Sequence, residues 1–509
     1  MNYINSKSKR ITALFLLFLT AGCMLLTISA CSTGDSAGKS PIESVNDLAD
    51  AKVGVQLGTV GDTYVSDQYP NADIEQFNKG ADAIQALKQG KVDCVVIDKF
   101  PAQAFVSANK DLSILDQEFT NEEYAICVAK ENTDLLNDIN AALNQLNSNG
   151  TIEKIIDNYI GDDTKGSYQY KTPDGTDKSK GTLVMATNAA FEPYEYMDGG
   201  KITGIDADIA LAISDILGME LEIEDMEFDS IISAVQSGKA DFGMAGLTVT
   251  EDRLLSINFS DSYTTSTQVI VVRNGNTDDS SFISIEKIKN NFIKDNRWQY
   301  IAKGLGTTLV ISFFSVIIGV VLGVIFAIIR ATCDKTGKLK LLNLLIRIFV
   351  TIIRGTPVMI QLLIIYYVIF ASSNIDKVPV AIIAFGLNSS AYMTEIVRSG
   401  IMSIDNGQFE AGRSLGFSYI QTMRYFILPQ AFKNVLPAVG NELIVLIKET
   451  SISGYIGIMD MTRAGDYIRS RTYDAFLPLI AVALIYLAIV MILSTLVGKL
   501  ERRLNKDGK

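Results

Sequence analysis

The sequence contains no histidine among its 509 residues, and this absence excludes several kinds of chemistry. A Ser-His-Asp hydrolase, an imidazole-based metal site and a histidine proton relay all require that side chain. Cysteine is scarce as well, and the five residues include no Cys-x-x-Cys pair, so neither a zinc ribbon nor a dithiol redox motif is indicated. A Walker A motif (Gly, four residues, then Gly-Lys-Ser/Thr) is also missing. We therefore expect no metal, no cofactor and no ATPase activity on this chain.

The chain divides near residue 300 into an acidic part and an apolar part. The formal net charge of −12 arises mainly before that point, which argues against nucleic acid as a partner. Beyond it, long apolar runs predominate, as in a membrane protein. The sequence thus predicts a multidomain protein in which α/β structure is followed by an all-α membrane domain.

The amino terminus has the arrangement of an export signal. Lys7, Lys9 and Arg10 precede an apolar run over residues 11–30. The sequence Ile28-Ser-Ala-Cys31 resembles a bacterial lipobox, which implies a lipidated Cys31 followed by a flexible tether over residues 32–41. The alternative is an uncleaved anchor helix, since the run is long enough to span a bilayer. Either interpretation places the chain from residue 32 outside the cytoplasm.

Short strands and helices alternate from residue 42 to residue 275. We predict strands at 52–56, 92–97, 183–187, 221–226 and 242–247, and helices at 81–89, 135–159, 205–217 and 231–236. Alternation of this kind predicts two lobes with parallel sheets, at residues 42–161 and 181–275, joined by a polar linker at 162–180. Cys94 and Cys127 fall in apolar strand-like runs and are predicted to be buried free thiols rather than a disulfide.

Two sets of motifs resemble the extracellular binding proteins for polar amino acids, which have a periplasmic-binding-protein (type II) fold. The motifs Ala186-Thr-Asn-Ala-Ala-Phe-Glu-Pro-Tyr194 and Ala245-Gly-Leu-Thr-Val-Thr-Glu-Asp-Arg253 resemble their first lobe. The motifs Val53-Gly-Val-Gln-Leu-Gly-Thr59 and Asp93-Cys-Val-Val-Ile-Asp98 resemble their second lobe. Because the order is inverted here, we predict a circularly permuted binding domain joined through the linker. Residues 124–130 would be the intact hinge strand and residues 268–273 a truncated crossing. The alternative is two degenerate half-domains that bind nothing.

The resemblance and the chemistry of a zwitterion together predict the ligand site. Arg253 would bind the carboxylate at two points, and Asp98 of the other lobe would bind the ammonium. Because these charges lie on different lobes, closure would be coupled to ligand binding. The supporting residues are predicted as follows: Gly246 and Thr248 beside the carboxylate, Gly58 and Thr59 as N–H donors at a helix start, Phe191 and Phe228 around the side chain, and the uncharged Asn188 and Gln56, which favour an amide or small polar side chain.

Five membrane spans are predicted after an amphipathic connector at residues 276–303. They cover residues 305–329, 346–370, 378–396, 435–452 and 476–497, followed by a tail at 499–509. Lysine and arginine cluster after the first and last spans, which predicts that these ends are cytoplasmic. The segment Arg354-Gly355-Thr356-Pro357 resembles the Arg-Gly-Thr-Pro segment of amino-acid permeases and would break the second span beside a cavity. For Glu395 and Glu442, a role in the membrane pathway and a role in helix packing remain equally open.

A polar segment at residues 410–429 interrupts the apolar runs and is too charged to span. Its Glu410-Ala411, its Gly416 and its Leu428-Pro429 resemble the coupling-helix signature of ABC importer permeases. That resemblance implies a receptor-permease subunit of a polar amino-acid importer, glutamine-like ligands being favoured. A second copy of the chain would complete the pore in the bilayer, and a separate ATPase dimer would use ATP and Mg²⁺. The alternatives are an amino-acid-gated sensor or channel, and an importer of a different small zwitterion.

Overall fold

The computed structural model describes residues 42–161, 163–274, 283–371, 375–472 and 474–506. The predicted leader, Cys31 and the tether lie outside these residues, as do residues 507–509 of the predicted tail. Within them, Cys94 and Cys127 are buried and no disulfide joins the two, as the sequence predicts.

Two mixed sheets and one small sheet form the α/β part. The strands are β1 Lys52–Gln56, β2 Asp73–Phe77, β3 Cys94–Asp98, β4 Leu112–Ile114, β5 Phe119–Tyr124, β6 Cys127–Val128, β7 Thr182–Thr187, β8 Ala190–Phe191, β9 Glu195–Asp198, β10 Lys201–Thr203, β11 Glu220–Asp225, β12 Phe242–Gly243, β13 Asn258–Phe259 and β14 Thr264–Arg273. The first sheet has the order β2-β1-β3-β14-β4 with β5 also on β14, the second β11-β7-β12-β6-β13, and the third β10-β9-β8. We call the first sheet and its helices lobe A, and the second sheet and its helices lobe B.

The sheets are mixed rather than parallel throughout. β1 is parallel to β2 and β3, and β7 is parallel to β11 and β12, as alternating strands and helices predict. However, β14 enters lobe A antiparallel to β3, while β6 and β13 enter lobe B in an antiparallel pair. The predicted strand at 242–247 also ends early, at Gly243. The residues after it form the loop that carries Gly246 and Thr248.

The chain crosses between the lobes twice, once inside the predicted hinge segment at 124–130 and once at a place that was not predicted. The first crossing lies between β5 and β6, and the second lies between β13 and β14 at Ser260 to Tyr263. The predicted hinge strand at 124–130 is therefore interrupted. The predicted truncated crossing at 268–273 lies wholly inside lobe A, because Val269 and Val271 are buried against β3. Both sheets are complete only because each receives strands from both sides of the linker, as a permuted domain requires.

Helices cover both lobes. In lobe A they are Val60–Gln68, Gly80–Lys88 and Lys99–Ala108, and in lobe B Thr133–Ser148, Thr151–Ile160, Ile205–Leu217, Ile231–Gln236 and Glu251–Ser256, with short turns at Val45–Asp50 and Phe228–Ser230. The predicted helix at 135–159 is broken at Gly150, whose φ of 71° favours glycine. Its two halves share a core with β7 through Leu143, Ile152 and Leu183. They therefore belong to lobe B, and the predicted lobe boundary at residue 161 does not follow the packing.

A repeated aspartate links helix and strand in the same way in both lobes. Asp93 follows the helix Gly80–Lys88 and accepts the backbone N–H of Lys52 at 2.9 Å. Asp241 follows Ile231–Gln236 and accepts the backbone N–H of Val184 at 2.7 Å. The internal repeat thus fixes the start of the first strand of each lobe.

The linker is held against lobe B over its described residues. Tyr170 and Thr172 donate to the Asp215 carboxylate at 3.1 and 3.2 Å, and Lys178 forms an ion pair with it at 2.8 Å. The linker is therefore an ordered part of the domain, although its composition is that of a flexible segment.

Helices make up the rest of the described chain. They are Ile285–Ile288, Lys289–Ile293, Lys294–Asn296, Trp298–Thr336, Lys340–Gly355, Val358–Ile364, Ile365–Ile369, Lys377–Met402, Asn406–Ser414, Tyr419–Thr422, Met423–Ile427, Leu428–Glu449, Thr450–Ile456, Met461–Thr472 and Phe476–Lys506. By length and composition, three of those described can span a membrane, Trp298–Thr336, Lys377–Met402 and Phe476–Leu504, or four if the bent pair Lys340–Gly355 and Val358–Ile369 is one span. The predicted fourth span falls in Leu428–Glu449, which is not among these helices and which carries Lys433, Glu442, Lys448 and Glu449.

Candidate functional site

A cavity lies between the lobes and gathers nine of the ten predicted ligand-site residues. Its space, including the open mouth, is about 340 Å³. The lining consists of Gln56, Thr59, Val60, Asp98, Glu122, Asn188, Phe191, Glu195, Phe228, Ala245, Gly246, Thr248 and Arg253. The tenth predicted residue, Gly58, lies beside it and contacts Arg253.

Arg253 enters the cavity from lobe B on the short helix Glu251–Ser256. The Thr250 side chain caps this helix by accepting the Arg253 backbone N–H at 3.3 Å. The guanidinium donates to the carbonyl of Thr248 at 2.7 Å and, across the lobes, to that of Gly58 at 2.8 Å. It also lies 5.6 Å from the centre of the Phe228 ring. Burial lowers the pKa of Arg253 from its ordinary value.

No carboxylate pairs with Arg253 within the described part of the chain. Its two hydrogen bonds go to neutral carbonyls, and three further N–H groups belong to the same planar fork. A half-buried cation of this kind, at the wall of a cavity, is suited to an anionic group of a ligand.

Asp98 faces the cavity from lobe A, where β3 ends and the helix Lys99–Ala108 begins. The Tyr124 hydroxyl donates to its Oδ1, and only 5% of the residue is exposed. Burial, together with the negative charge of Glu122, raises the pKa of Asp98 to about 7. Asp98 is therefore a carboxyl group whose ionised form gains from a cation placed beside it.

Glu122 and Gln268 were not predicted from the sequence. Glu122 accepts hydrogen bonds from the Thr248 hydroxyl at 2.7 Å, the Gln268 amide at 2.9 Å and the Thr120 hydroxyl at 3.0 Å. Its bond to Thr248 joins the two lobes. Side chains alternate between the two faces of β5, and this alternation could have predicted that Glu122 lies on the same buried face as Tyr124.

The predicted N–H donors at the helix start are already used. The helix begins at Val60, and Thr59 is its N-cap. The Gly58 N–H donates to the Asp62 carboxylate at 3.0 Å, and the Thr59 N–H donates to the Gln56 carbonyl at 3.3 Å. Gly58 therefore contributes its carbonyl to Arg253, and Thr59 remains as part of the wall.

Aromatic rings and Gly246 shape the opposite wall. Phe191 stacks on Tyr194 with centroids 5.7 Å apart, while Phe228 lies under Arg253. Gly246 has a φ of 54°, and a Cβ there would lie 3.0 Å from Phe191. Glycine is thus required both by the backbone and by the approach of the ring.

Two buried carboxyl groups lie behind Gly246. Asp206 accepts the Gly246 N–H and the Tyr263 hydroxyl, each at 2.9 Å. Glu195 is fully buried, and burial together with the charge of Asp206 raises its pKa well above the usual range. Burial raises the pKa of Asp206 to about 6. The two donors favour the ionised form of Asp206, and the raised pKa of Glu195 favours its protonated form.

The helix Met461–Thr472, which we call the arginine helix, contacts both lobes from the membrane half. Arg463 pairs with Asp225 at 2.5 Å and with Glu227 at 3.6 Å in lobe B. Arg469 pairs with Asp82 of lobe A at 2.7 Å. In addition, Arg471 pairs with Glu192 at 2.7 Å, Tyr467 donates to the Met197 carbonyl at 3.0 Å, and Lys377 forms an ion pair with Glu224.

The predicted coupling segment is mostly helical. It begins inside Asn406–Ser414, turns at Gly416 with a φ of 87°, and continues through Tyr419–Thr422. Leu428 and Pro429 form the first turn of the helix Leu428–Glu449 rather than part of a loop. Glu410, Ala411, Gly416 and Pro429 are exposed, and Leu428 is half-buried. Two large apolar side chains are also exposed here, Leu415 at 73% and Ile420 at 75%.

The polar residues predicted for the membrane pathway lie in three places. The chain bends by 110° at Thr356-Pro357, directly after Arg354 and Gly355, as the predicted helix break requires. Arg354 lies over the Tyr392 ring at 5.4 Å. Glu442 is buried and accepts from the Ser389 hydroxyl at 2.8 Å.

Glu395 lies away from that buried group. It pairs with Arg330 and, at 3.3 Å, with Arg398. Its position is therefore that of a helix-to-helix ion pair near the coupling segment, whereas Glu442 is inside the helix bundle.

Comparison with known proteins identifies both halves. A family model for bacterial extracellular solute-binding proteins, family 3, matches residues 183–444. The arginine transport system permease protein of Bacillus subtilis is 40% identical over 211 residues, which are 41% of this chain and 94% of that protein. The chain belongs to the amino-acid ABC transporter permeases and carries a family 3 solute-binding domain.

Other relatives of this permease have different names. The putative glutamine transport system permease protein of Rickettsia bellii is 39% identical over 210 residues, 40% of this chain and 93% of that protein. The L-cystine transport system permease protein of Bacillus subtilis is 36% identical over 219 residues, 42% of this chain and 91% of that protein. A solved amino acid ABC transporter with histidines is 40% identical and covers 42% of this chain and 98% of its own, with a TM-score of 0.39. The permease relatives thus match the membrane half, and the solute-binding match begins at β7.

Proposed function

We propose that this chain is the receptor-permease subunit of an ATP-driven importer that captures a polar L-amino acid outside the membrane and passes it through a homodimeric pore. The single observation that carries the proposal is the cavity with Arg253 on one lobe and Asp98 on the other, in a chain whose membrane half is an amino-acid permease. Opposite charges on opposing lobes match the carboxylate and the ammonium of an amino acid. The relatives named for arginine, glutamine and L-cystine transport support the same ligand class.

The coupling segment is the proposed contact with the ATPase. It lies at the far end of the helix Trp298–Thr336 from the binding domain, since Tyr419 donates to Thr332 at one end while Tyr300 packs on Tyr467 at the other. A helix of 39 residues is about 60 Å long, enough to cross a bilayer. Exposed Leu415 and Ile420, beside Glu410 and Gly416, give this segment an apolar surface of the kind that protein partners cover. The segment would then be cytoplasmic and the binding domain external.

The partners follow from what one chain supplies. One permease chain is proposed to form half of a pore, so a second copy completes it. ATP and Mg²⁺ would be used by a separate ATPase dimer, because this chain has no Walker A motif. Arg354, Gly355, Thr356, Pro357 and Glu442 are the residues we propose beside the pathway. For Glu395, its two arginine partners favour a packing role.

Co-reconstitution with an ATPase subunit of the amino-acid ABC class tests this function. The chain and the ATPase are placed in proteoliposomes, and ATP turnover is measured with each of a panel of L-amino acids. We expect one polar amino acid to stimulate turnover severalfold, and Glu410→Ala to abolish the stimulation while ligand binding is retained. A ligand-gated ionic current in the absence of any ATPase would instead identify a channel or sensor.

A further inference from the structure

The relatives of this permease carry three different ligand names, so the side chain of the captured amino acid has to be inferred from the cavity. The inference below rests on the proposed function, in that it assumes an amino acid between Arg253 and Asp98. With the charged ends assigned to those residues, and with Glu122 bonded to three donors, the wall presents two uncharged amides: Gln56 from lobe A and Asn188 from lobe B. They are buried, with 7% and 2% exposure respectively.

The orientation of the Gln56 amide is decided by its backbone partner. Its Oε1 accepts the N–H of Gly80 at 3.1 Å, and a backbone N–H can only donate. The amide oxygen must therefore point at Gly80, and the Nε2 group is left over. Within the described residues no acceptor is bonded to Nε2, so Gln56 presents a hydrogen-bond donor to the cavity.

The orientation of the Asn188 amide is decided in the opposite sense. Its Nδ2 donates to the carbonyl of Met226 at 2.7 Å, and a carbonyl can only accept. The amide nitrogen is thereby used, and Oδ1 has no donor in the part of the chain that the structure describes. Asn188 thus presents a hydrogen-bond acceptor to the same cavity.

Glu195, which lines the cavity together with Asn188, adds no charge to this wall. Glu195 lines the cavity, but its carboxyl group adjoins that of Asp206, and Asp206 is the one supplied with donors. A proton held on Glu195 avoids two adjacent buried charges. The wall around Asn188 therefore does not attract a cationic side chain by charge.

We propose that the captured amino acid ends in a carboxamide, as glutamine and asparagine do, and that Gln56 and Asn188 determine this specificity. Gln56 Nε2 donates to the amide oxygen of the ligand, and Asn188 Oδ1 accepts from its amide nitrogen. A carboxylate side chain would oppose its oxygen to Asn188 Oδ1. A guanidinium or ammonium has only donors and would leave Gln56 Nε2 unpaired. An apolar side chain would leave both groups unpaired, which buried polar groups tolerate poorly.

Titration calorimetry on the full-length protein in nanodiscs tests the proposal with glutamine, asparagine, glutamate, arginine, lysine and cystine. We expect glutamine or asparagine to bind at least about tenfold more tightly than the other four, a factor that corresponds to one unmatched hydrogen bond. Arginine, lysine, glutamate or cystine binding as tightly would overturn the carboxamide assignment and leave the amino-acid importer standing. Binding of none of the six would contradict the importer proposal itself.

The variant Gln56→Glu changes one donor into an acceptor without changing the length of the side chain. One carboxylate oxygen still accepts from Gly80, while the other faces the cavity. Glutamine affinity should fall at least about tenfold, and affinity for lysine or arginine should rise. The matched control is Gln117→Glu, since Gln117 also accepts a backbone N–H in lobe A, from Val45 at 3.1 Å, but lies outside the cavity. Equal effects of the two variants, or unchanged selectivity in Gln56→Glu, would refute the role of Gln56. The ligand panel on the unmodified protein remains decisive if the variant fails to fold.

Discussion

Two arginines of this molecule, the half-buried Arg253 and the buried Arg463, have opposite surroundings. Arg253, in the cavity between the lobes, donates to two neutral carbonyls and has no carboxylate partner among the described residues. Arg463, where the arginine helix meets lobe B, is paired with Asp225 and Glu227 and also donates to the Gly454 carbonyl. The first site leaves a half-buried positive charge available to a ligand, whereas the second neutralises its positive charge within the protein.

This difference separates a binding site from a structural contact. Both arginines donate to backbone carbonyls, so those hydrogen bonds do not distinguish them. The distribution of carboxylates does. In the cavity, Glu122 is saturated by three donors and Asp98 is left on the far wall, whereas at the arginine helix every arginine has an acidic partner within 4 Å.

Breaking the ion pairs of Arg463 should have the largest effect on the protein. Arg463→Gln removes the buried guanidinium that pairs with the half-buried Asp225 and Glu227, and removal of one partner of a buried ion pair costs about 3–5 kcal/mol. We expect a large fall in thermal stability and loss of ligand-stimulated ATP turnover, measured by scanning calorimetry and in proteoliposomes. The double variant Arg463→Gln with Asp225→Asn should recover part of the stability. A single variant as stable as the unmodified protein would show that these ion pairs do not stabilise the contact.

Changing Arg253, which has no carboxylate partner among the described residues, should affect ligand affinity rather than the stability of the fold. Arg253→Lys replaces a planar fork by a single ammonium, so we expect ligand affinity to fall by about 100-fold, as two-point recognition of the carboxylate is lost. Thermal stability should change little, because no ion pair is broken. Titration calorimetry checks the affinity, with Arg502→Lys in the carboxy-terminal region as the control. Unchanged affinity would remove Arg253 from the ligand site.

The raised pKa of Asp98 predicts that ligand affinity depends on pH. The pKa of Asp98 is raised to about 7, so in the empty cavity it binds a proton below that pH, and this proton must leave before the ligand ammonium can bind. Affinity should fall about tenfold per pH unit below 7 and be level above it. Calorimetry from pH 5.5 to pH 8 measures this, and Asp98→Asn should remove the slope. A level profile in the unmodified protein would contradict the assignment of Asp98.

The same shift has a consequence for stability. Because the folded domain holds a proton on Asp98 that the unfolded chain has already lost above its ordinary value of 3.8, the stability of the ligand-free protein should fall as pH rises from about 4 to about 7. Asp98→Asn should reduce this fall, which denaturant titrations at several pH values can measure.

The smallest effect on function is expected at the coupling segment, which contains neither Arg253 nor Arg463. Gly416 has a φ of 87°, and a Cβ there costs about 1 kcal/mol of backbone strain. Gly416→Ala should therefore lower transport about fivefold while leaving ligand affinity unchanged. Gly498→Ala, at a helical glycine that has no positive φ and open space around it, gives a comparison for the backbone effect. Reduced ligand binding in Gly416→Ala would show that the segment does more than couple.

The sequence predicted what depends on local pattern and could not supply what depends on long-range packing. The helices Ile205–Leu217 and Ile231–Gln236 were predicted to the residue, because their apolar periodicity and the glycines after them are local signals. The second crossing was misplaced at 268–273 because this segment is an apolar strand whichever sheet it joins. Only its burial against β3 decides the question.

The ligand site shows the same limit. Arg253 and Asp98 were predicted by motif, but Glu122 has no motif and reaches the cavity through pairing of β5 with β14, where Gln268 donates to it; the two strands are more than a hundred residues apart. Gly58 was predicted as an N–H donor, yet Asp62 four residues later takes that group. The acidic partners of the arginine helix were not predicted either, because they lie more than two hundred residues before it in the chain.

Uptake of labelled glutamine by proteoliposomes that contain this chain and an amino-acid ABC ATPase tests the central claim most directly. The account predicts accumulation above the external concentration that requires ATP and Mg²⁺ on the side of the ATPase and is lost in Arg253→Lys at low glutamine concentration. Uptake that proceeds without ATP, or that is the same in Arg253→Lys, would contradict the assignment of this chain as a receptor fused to its permease.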